Sequence, residues 1–353
     1  MFDPTALARP NIVRLKPYSS AREDFVGAAD VYLDANENAL GSPIDPPLNR
    51  YPDPRQTELK RILSARDGIS TDSIFIGNGS DEVIDLLIRV FCEPRQDEIM
   101  ICPPTYGMYR VAADVNDVAV REVPLTREFQ LDVDRIIAES TARTKLIFVC
   151  SPNNPTGNLM SVDAIAEIAG RVDAIVVLDE AYVDFAEEAS IVDRLDQMPN
   201  VVVLRTLSKA YGVAAARVGI GYGHPEVIAL LNKAKPPYNV SGLAQVAAVA
   251  ALGKHDEVRA SIKELRERRE MLRSEFERIQ MVGTVFPSDA NFLLVRVADA
   301  DGLYRFLIGR GIVVRNRSRE VACENCLRIT IGTEEENRRL IDAIKEYSQE
   351  VAR

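Results

Sequence analysis

The sequence has 353 residues, of which 46% are hydrophobic and 27% charged, values that are ordinary for a folded protein of about two domains and argue against disorder. Its 43 Lys and Arg residues against 53 Asp and Glu give a net charge of −10, which disfavours binding to a nucleic-acid backbone or an anionic membrane. With only two histidines, a Ser-His-Asp triad or a multi-histidine metal site has almost nothing to be built from, so acid–base chemistry falls to Lys, Asp, Glu or Tyr.

The cysteines and the N-terminal segment bear on the cellular compartment. The five cysteines are odd in number and sparse, which indicates reduced thiols. Cys323 and Cys326 form one C-x-x-C pair, but no second pair or nearby His completes a zinc site, so we expect no metal. The first ten residues lack the features of a secretion signal, and no apolar run reaches the ~20 residues of a membrane helix. We therefore expect a cytoplasmic protein without membrane contact.

Short apolar, β-branched runs alternate with amphipathic segments through the first two thirds of the chain. They lie at 73–77, 97–101, 145–150, 174–179, 201–204 and 217–221. The runs lack polar alternation, as strands buried on both faces do. Between the first two, apolar residues at helical spacing follow Ser80, a good N-cap. The alternation predicts an α/β domain with a mostly parallel sheet, in which ligands bind beyond the carboxyl ends of the strands.

The last third of the chain has a different pattern. Apolar residues at helical or heptad spacing through the charged stretch 263–278 predict a long amphipathic helix, and the mixed sign of its charges argues against a nucleic-acid patch. A strand-like, a helical and two further strand-like segments follow, at 291–297, 303–308, 311–315 and 326–332. This α+β pattern predicts a smaller second domain. We assign residues 36–237 to the large domain, and 238–353 with an N-terminal arm, 1–35, to the small one.

A glycine-rich turn, GNGSDE at 77–82, follows the first strand and opens a helix. Such turns present backbone N–H groups and the positive end of a helix dipole to phosphate. As a dinucleotide fingerprint the turn is defective, because Glu82 takes the place of the third glycine. One phosphate therefore fits better than a pyrophosphate, and a tight turn that merely needs glycine is the alternative.

Charged and hydroxyl side chains follow two later strands. Asp179 ends one of them and points into the expected ligand crevice, where it has no His to orient. Lys209 follows the next strand, is flanked by Thr206 and Ser208, and precedes Arg217 by eight residues. This arrangement indicates an amine nucleophile beside a phosphate cradle. A lone lysine would more often be a solvated surface charge.

The turn SPNNPTG at 151–157 adds rigid polar side chains at the same sheet edge. Together with Asp179, Tyr182 and Lys209 in this order, it resembles the fold-type I pyridoxal-phosphate aminotransferases and, within them, the histidinol-phosphate aminotransferases. The matching motifs run almost from end to end: PYSSAR (17–22), LDANEN (33–38), RYPDP (50–54), GNGSDE (77–82), CPPTYGMY (102–109), CSPNNPTG (150–157), LDEAY (178–182), RTLSKAYG (205–212), GIVVR (311–315) and CLRITIGT (326–333).

The resemblance implies pyridoxal 5'-phosphate as the cofactor and a role for each matching residue. Lys209 would hold the cofactor as a Schiff base, and Asp179 would pair with its ring nitrogen. Asn154 and Tyr182 would bond the ring hydroxyl, and Tyr106 would stack on the ring. The residues implied to hold the cofactor phosphate are Gly79, Ser80, Asp81, Thr206, Ser208 and Arg217.

The resemblance also implies an assembly and a reaction. Tyr51 would reach the cofactor phosphate of a partner subunit in a homodimer, and Tyr18, Arg315 and Arg328 would bind the anionic end of the substrate. The expected reaction moves an amino group between histidinol phosphate and 2-oxoglutarate, with glutamate as the other product, in L-histidine biosynthesis. Three alternatives stay open: an aromatic amino-acid aminotransferase, a threonine-phosphate decarboxylase, and a cofactor-binding regulatory domain. The last would need a basic DNA-binding extension, and residues 1–35 are short and not strongly basic.

Overall fold

The computed structural model describes residues 2–18, 22, 29–45, 47–187 and 190–351. Residues 19–21 of the predicted motif at 17–22 lie outside the described residues, and so do residues 1 and 23–28 of the predicted N-terminal arm. Within the described ranges, no helix combines the length and the apolar character that crossing a membrane requires.

Seven strands form the larger sheet, in the spatial order β1-β7-β6-β5-β4-β2-β3. They are β1 (Ile74–Asn78), β2 (Glu98–Ile101), β3 (Ala119–Glu122), β4 (Thr144–Cys150), β5 (Ile175–Asp179), β6 (Val201–Thr206) and β7 (Val218–Tyr222). The pairings among β2 to β6 are parallel, and β7 is antiparallel to both its neighbours. The prediction of a mostly parallel sheet is confirmed, and all six predicted strands are present. The edge strand β3, half exposed and without an apolar run, was not predicted.

Alternate residues of the central strands face opposite layers of helices. In β5, Ile175 and Val177 join the core on one face, and Val176 and Leu178 join the core on the other. Successive side chains of a strand point to opposite faces, so a strand covered on both sides is apolar throughout. The helices of this part are α1 (Pro4–Leu7), α2 (Pro10–Arg14), α3 (Thr57–Asp67), α4 (Ser80–Phe91), α5 (Met108–Val115), α6 (Val133–Glu139), α7 (Val162–Arg171), α8 (Pro225–Ala234) and α9 (Gly242–Leu252), with 3-10 helices at Thr71–Ser73, Val183–Phe185, Val192–Gln197 and Ala214–Ala216.

Helix α4 begins one residue earlier than the sequence indicated. Ser80 was predicted as its N-cap, but Ser80 is already helical and Gly79 occupies the cap position with φ 81°. This left-handed backbone favours glycine. No side chain caps the first turn, and β7 runs so close that a Cβ on Gly219 would lie 2.1 Å from the backbone nitrogen of Ser80. Glycine therefore sets the backbone of this turn, and the N–H groups of the first turn of α4 have no side-chain cap.

A second, antiparallel sheet of four strands has the order β10-β11-β9-β8. Its strands are β8 (Val282–Val285), β9 (Phe292–Val297), β10 (Arg315–Asn316) and β11 (Cys326–Thr330), and its helices are α10 (His255–Phe276), α11 (Ala300–Gly309) and α12 (Glu334–Val351). These elements enclose a core of their own. The α+β pattern is thus present, while the predicted domain limits at 36–237 and 238–353 with 1–35 stay a prediction.

The predicted strand at 311–315 is wrong over most of its length. Only Arg315 and Asn316 pair with β11, and residues 312–314 have no regular structure. Gly311 has φ 71°, which turns the chain sharply after α11, and Val313 is exposed. The apolar, β-branched composition of GIVV favours a strand locally, but the segment joins the ladder only at its end.

Candidate active site

The polar side chains predicted at the strand ends meet in one cleft at the carboxyl edge of the larger sheet. The cleft is lined by Ser80, Asp81, Tyr106, Cys150, Asn154, Asp179, Ala181, Tyr182, Thr206, Ser208, Lys209 and Arg217. All of these except Cys150 and Ala181 were singled out from the sequence, and Gly79 adjoins them at the start of α4. Parallel strands bring their carboxyl ends to one edge of the sheet, and loops after β1, β4, β5 and β6 supply most of the lining.

Asp179, the last residue of β5, is buried at the bottom of the cleft. Its Oδ2 accepts a hydrogen bond from the hydroxyl of Tyr109 at 2.7 Å, and its Oδ1 accepts one from the backbone N–H of Ala181 at 3.1 Å. Burial raises the pKa of Asp179 to about 6, although both hydrogen bonds act in the opposite direction. A carboxylate in such surroundings gains most from a cation or a proton donor beside it.

Tyr109 is the main site residue that the sequence did not single out. It lies in α5, its ring is fully buried, and it stacks on Phe148 with ring centroids 4.7 Å apart. Burial, and then the negative charge of Asp179, raise the pKa of Tyr109, so the hydroxyl stays protonated and remains a donor. The only signal for it was its place within the motif CPPTYGMY, since nothing local ties residue 109 to residue 179.

Lys209 lies in the loop after β6, lines the cleft and stays partly exposed. This partial burial lowers the pKa of Lys209, and the nearby cations Arg328 and Arg217 act in the same direction, while Asp179 opposes them. The ammonium nitrogen lies 5.4 Å from the ring centroid of Tyr182. A lysine with a lowered pKa is neutral, and therefore nucleophilic, in a larger fraction of molecules.

The opposite end of the cleft is an anion cradle at the N-terminus of α4. Arg217 reaches across it: Nη2 donates to Oδ2 of Asp81 at 3.3 Å, and Nη1 donates to Oγ of Ser208 at 3.5 Å. A Cβ on Gly79 would lie 2.5 Å from Nη2 of Arg217, so only glycine lets the guanidinium approach the turn. Helix N–H groups without a side-chain cap, next to a guanidinium, are suited to a phosphate.

Two hydroxyls complete the cradle. Thr206 ends β6, and its Oγ1 donates to Oγ of Ser208 at 2.9 Å while accepting from the backbone N–H of Ser208 at 3.1 Å. Both side chains line the cleft next to Arg217. The loop after β6 therefore contributes donors to the cradle and, one residue later, the lysine.

Aromatic and amide side chains form the walls between the cradle and the carboxylate. The hydroxyl of Tyr106 donates to Oδ1 of Asp81 at 3.2 Å. Tyr182 packs edge-on against Phe292 of the second sheet, with centroids 5.1 Å apart, and burial raises its pKa. Asn154 lies in the turn after β4, between the cis peptide bonds Ser151–Pro152 and Asn154–Pro155, and its Oδ1 accepts a hydrogen bond from Arg328. The walls thus join the two sheets.

The residues implied to bind the substrate differ in their placement. Nη1 of Arg328 in β11 donates to Oδ1 of Asn154 at 2.5 Å, so Arg328 reaches the rim of the cleft. Its guanidinium lies 5.3 Å from the ring centroid of Phe292, and burial lowers its pKa. Arg315 is exposed and faces Arg328 directly across the strand pair. Tyr18 is 75% exposed and is not part of the cleft lining.

Tyr51 lies outside this cleft as well. It is 52% exposed, and its ring stacks on Tyr238 with centroids 4.5 Å apart. It lines a separate and larger cavity of about 860 Å³ together with Arg22, Lys60 and other residues. That cavity is rich in cations but contains neither the buried carboxylate nor the lysine after β6, so the smaller cleft is the better candidate for chemistry.

The chain is similar to known proteins over nearly its whole length. Residues 31–344 match the family Aminotransferase class I and II. The histidinol-phosphate aminotransferase of Cytophaga hutchinsonii is 49% identical, covering 98% of this chain and 99% of the relative. That of Bacteroides thetaiotaomicron is 50% identical, over 97% and 98%. The solved structure of the histidinol-phosphate aminotransferase of Clostridium acetobutylicum has a TM-score of 0.79 at 24% identity, covering 86% of this chain and 92% of the other. The chain therefore belongs to the class I and II aminotransferases, which are pyridoxal-phosphate-dependent enzymes, and within them to the histidinol-phosphate aminotransferases.

Proposed function

We propose that this protein transfers an amino group between histidinol phosphate and 2-oxoglutarate, a step of L-histidine biosynthesis, with pyridoxal 5'-phosphate in the cleft. The observation that carries the proposal is one cleft holding a buried carboxylate, a lysine of lowered pKa and an anion cradle. We also propose a cytoplasmic location, which suits a chain whose five cysteines are all free thiols.

The cleft fits the cofactor at each of its chemically distinct parts. The uncapped first turn of α4 and the space that Gly79 leaves for Arg217 suit a single phosphate. Asp179 suits a protonated ring nitrogen, and Lys209 suits the aldehyde carbon. The residues that we assign to the cofactor are Gly79, Ser80, Asp81, Tyr106, Asn154, Asp179, Tyr182, Thr206, Ser208, Lys209 and Arg217, with Tyr51 contributed by a partner subunit.

The chain's own residues then have separable roles. When bound, the cofactor is an electron sink that makes the Cα–H bond of the attached amine acidic. Asp179 keeps a proton on the atom that faces it, because a carboxyl group with a pKa of about 6 is mostly ionised at neutral pH, and its buried negative charge stabilises a cation beside it. Tyr109 orients that carboxylate through its hydroxyl. The amine of Lys209, once free, takes the Cα proton of the substrate and passes it on as a general base and acid.

Arg328 and Arg315 are our candidates for the substrate's anionic end. One pocket must accept a phosphate in one half-reaction and carboxylates in the other, and the planar fork of arginine pairs with either group. The two guanidinium groups lie on facing residues of one hairpin, and Arg328 already reaches the cleft through Asn154. On the basis of the sequence resemblance, we still propose that the hydroxyl of Tyr18 donates a hydrogen bond to the substrate phosphate.

Substrate choice is tested by supplying 2-oxoglutarate with histidinol phosphate, phenylalanine or threonine phosphate and measuring glutamate formation. We expect kcat/KM for histidinol phosphate to exceed that for phenylalanine by about 10-fold or more, since pocket contacts that distinguish substrates are worth about 1–3 kcal/mol. Phenylalanine used at least as efficiently would indicate an aromatic aminotransferase. Release of carbon dioxide from threonine phosphate would indicate the decarboxylase.

The same assay on two arginine variants isolates the anion site. Arg328→Ala removes the guanidinium at the rim, and loss of such a charge pair costs about 2–5 kcal/mol, which is roughly 30-fold or more in kcat/KM for both half-reactions. Arg319→Ala is the matched control, because Arg319 is an exposed arginine of the loop between β10 and β11. Equal effects of the two variants would remove Arg328 from the substrate site.

We further propose that the active unit is a homodimer. Several large apolar side chains are exposed in the segment 31–48 and on α9; Leu40, for example, is 98% exposed. They are Val31, Leu33, Leu40, Ile44 and Leu48, with Leu243 and Val246 on α9. Helix α9 is tied to the Tyr51 segment, because Nε2 of Gln245 donates to the backbone oxygen of Asp53 at 3.0 Å. Apolar surface of this extent usually marks an interface, and closed two-fold symmetry is the commonest assembly.

Subunit mixing tests whether Tyr51 serves the partner's cleft. In a mixed dimer of Lys209→Ala and Tyr51→Phe chains, one site has both defects and the other has neither. With random exchange half of the dimers are mixed, so we expect activity to recover to about a quarter of the wild-type value, above that of either variant alone. Unmixed variants at equal total concentration are the controls. No recovery after proven exchange would show that each site is built from one chain.

A further inference from the structure

The loop that joins β10 to β11 is a series of three turns. The backbone N–H of Glu320 donates to the oxygen of Arg317 at 2.9 Å, that of Cys323 to Glu320 at 3.1 Å, and that of Cys326 to Cys323 at 3.0 Å. Cys323 and Cys326 are therefore the two ends of the last turn. A hydrogen-bonded turn keeps its end Cα atoms within about 7 Å, and disulfides span Cα separations of about 4.4–6.8 Å. The backbone already holds the two cysteines at bridging distance.

The two thiols also face each other. Both are fully buried, in a small cluster with Leu294, against which Phe286 packs. The hydrogen bond that Cys326 receives from Cys323 lowers the pKa of Cys326, and Arg296 lowers it further. The other partner, Cys323, has its pKa raised by the same hydrogen bond and by burial. The pKa of Cys326 is thus below the ordinary thiol value and that of Cys323 above it, so Cys326 is the better nucleophile of the two.

Arg296 fixes this geometry. Its Nη2 donates to the backbone oxygen of Ala322 at 2.8 Å, and its Nε donates to that of Glu324 at 3.2 Å. One guanidinium therefore holds both sides of the turn while lying next to the Cys326 sulfur. The two residues between the cysteines, Glu324 and Asn325, are exposed. Opening of this single surface turn is enough to admit a small molecule to the sulfurs.

None of the other three cysteines has a second cysteine three residues away. Cys92, Cys102 and Cys150 are buried in the large sheet and its helices. Burial raises the pKa of each of them, that of Cys102 to about 12. Buried thiols of this kind are poor nucleophiles. They provide three reference thiols within the same chain.

We propose that Cys323 and Cys326 form an oxidative modification site, at which a hydroperoxide makes a reversible intrachain disulfide across the turn. The site stands apart from the cofactor cleft and from the proposed reaction. It lies in the hairpin that carries Arg328, and the backbone N–H of Arg317 donates to the oxygen of Cys326 at 2.8 Å.

The chemistry balances with hydrogen peroxide as the oxidant. The thiolate of Cys326 attacks one peroxide oxygen, the O–O bond breaks, hydroxide leaves, and Cys326 becomes a sulfenic acid. The sulfur of Cys323 then attacks the sulfenic sulfur, so that the S–S bond forms, the S–O bond breaks and a second hydroxide leaves. The two thiols give up two electrons and two protons, and the peroxide becomes two waters. A dithiol reductant reverses the bridge by thiol–disulfide exchange.

Peptide mass measures the modification directly. The cofactor-loaded enzyme is treated with hydrogen peroxide, unfolded in N-ethylmaleimide and digested with trypsin, which releases residues 320–328 with both cysteines in one peptide. We expect this peptide to be free of maleimide, about 2 Da lighter than the fully reduced form because two hydrogens are lost, and restored by dithiothreitol. The peptides with Cys92, Cys102 and Cys150 should carry maleimide throughout.

Two single variants test the order of events. In Cys323→Ser the reaction should stop at the sulfenic acid of Cys326, which dimedone traps. In Cys326→Ser oxidation of Cys323 should be about 10-fold slower or more, because the thiolate is lost. The proposal is overturned if peptide 320–328 stays reduced, if the three reference thiols oxidise equally fast, or if Cys326→Ser oxidises at the wild-type rate. None of these readouts depends on aminotransferase activity.

Discussion

Replacing Lys209 by alanine should lower kcat by about 10,000-fold, the upper range for removal of a positioned proton-transfer group. Lys209 lines the cleft at the carboxyl edge of the larger sheet, and its partial burial keeps its pKa below the ordinary value. Its loss removes both the covalent anchor of the cofactor and the base that moves the substrate proton. The measurement is kcat with histidinol phosphate at saturating 2-oxoglutarate, with circular dichroism of the variant as the folding control.

Borohydride labelling identifies the lysine without reference to turnover. Reduction should fix the cofactor to Lys209, which blocks cleavage after that residue and leaves one tryptic peptide of residues 206–217. Lys60 is a stringent competitor, because burial and the nearby Lys235 lower the pKa of Lys60 to about 8. Label on the Lys60 peptide, or spread over several lysines, would contradict the assignment.

Replacing Asp179 by asparagine should lower kcat by about 100- to 10,000-fold, since breaking a buried charge pair typically costs about 3–5 kcal/mol. The amide keeps the shape of the side chain but cannot hold a proton on the ring nitrogen by charge. Tyr109→Phe is the matched control: it leaves the carboxylate and removes only the hydrogen bond of 2.7 Å. A hydrogen bond to a charged group is worth about 1.5–3 kcal/mol, so the fall should be smaller. Near-normal turnover of Asp179→Asn would indicate that Asp179 has only a structural role at the end of β5.

The same variant gives a pH signature in the cofactor-free chain. Burial raises the pKa of Asp179 from 3.8 to about 6, so the folded state favours the protonated form. The raised pKa contributes about 3 kcal/mol to the free energy of unfolding. This contribution is fully present below pH 4 and is lost as the pH rises through 6. Asp179→Asn lacks this loss. Between pH 4 and pH 8 its free energy of unfolding in urea should therefore gain about 3 kcal/mol relative to the wild type, and a constant difference would contradict the buried-carboxylate interpretation.

The strands that position the cleft were predictable because their signal is local. Each is a short apolar run buried on both faces, and a parallel sheet collects the residues that follow such runs at one edge. Asp179 and Lys209 were found in this way. The edge strand β3 and the segment 312–314 were not predicted correctly, since pairing with a neighbour, and not composition, decided their structure. Ser80 was misplaced by one residue because Gly79, whose positive φ of 81° favours glycine, takes the cap position instead.

What the sequence by itself determined is the order of the strands along the chain, the residue types at their ends and hence the class of chemistry. The tertiary structure decided which distant side chains touch them: Tyr109 on Asp179 across 70 residues, and Arg328 on Asn154 across 174. It also decided the pKa of Asp179. Burial and through-space contacts depend on every element packed around a residue, whereas strand and turn signals depend on a few neighbours in sequence, and for this reason only the latter could be predicted.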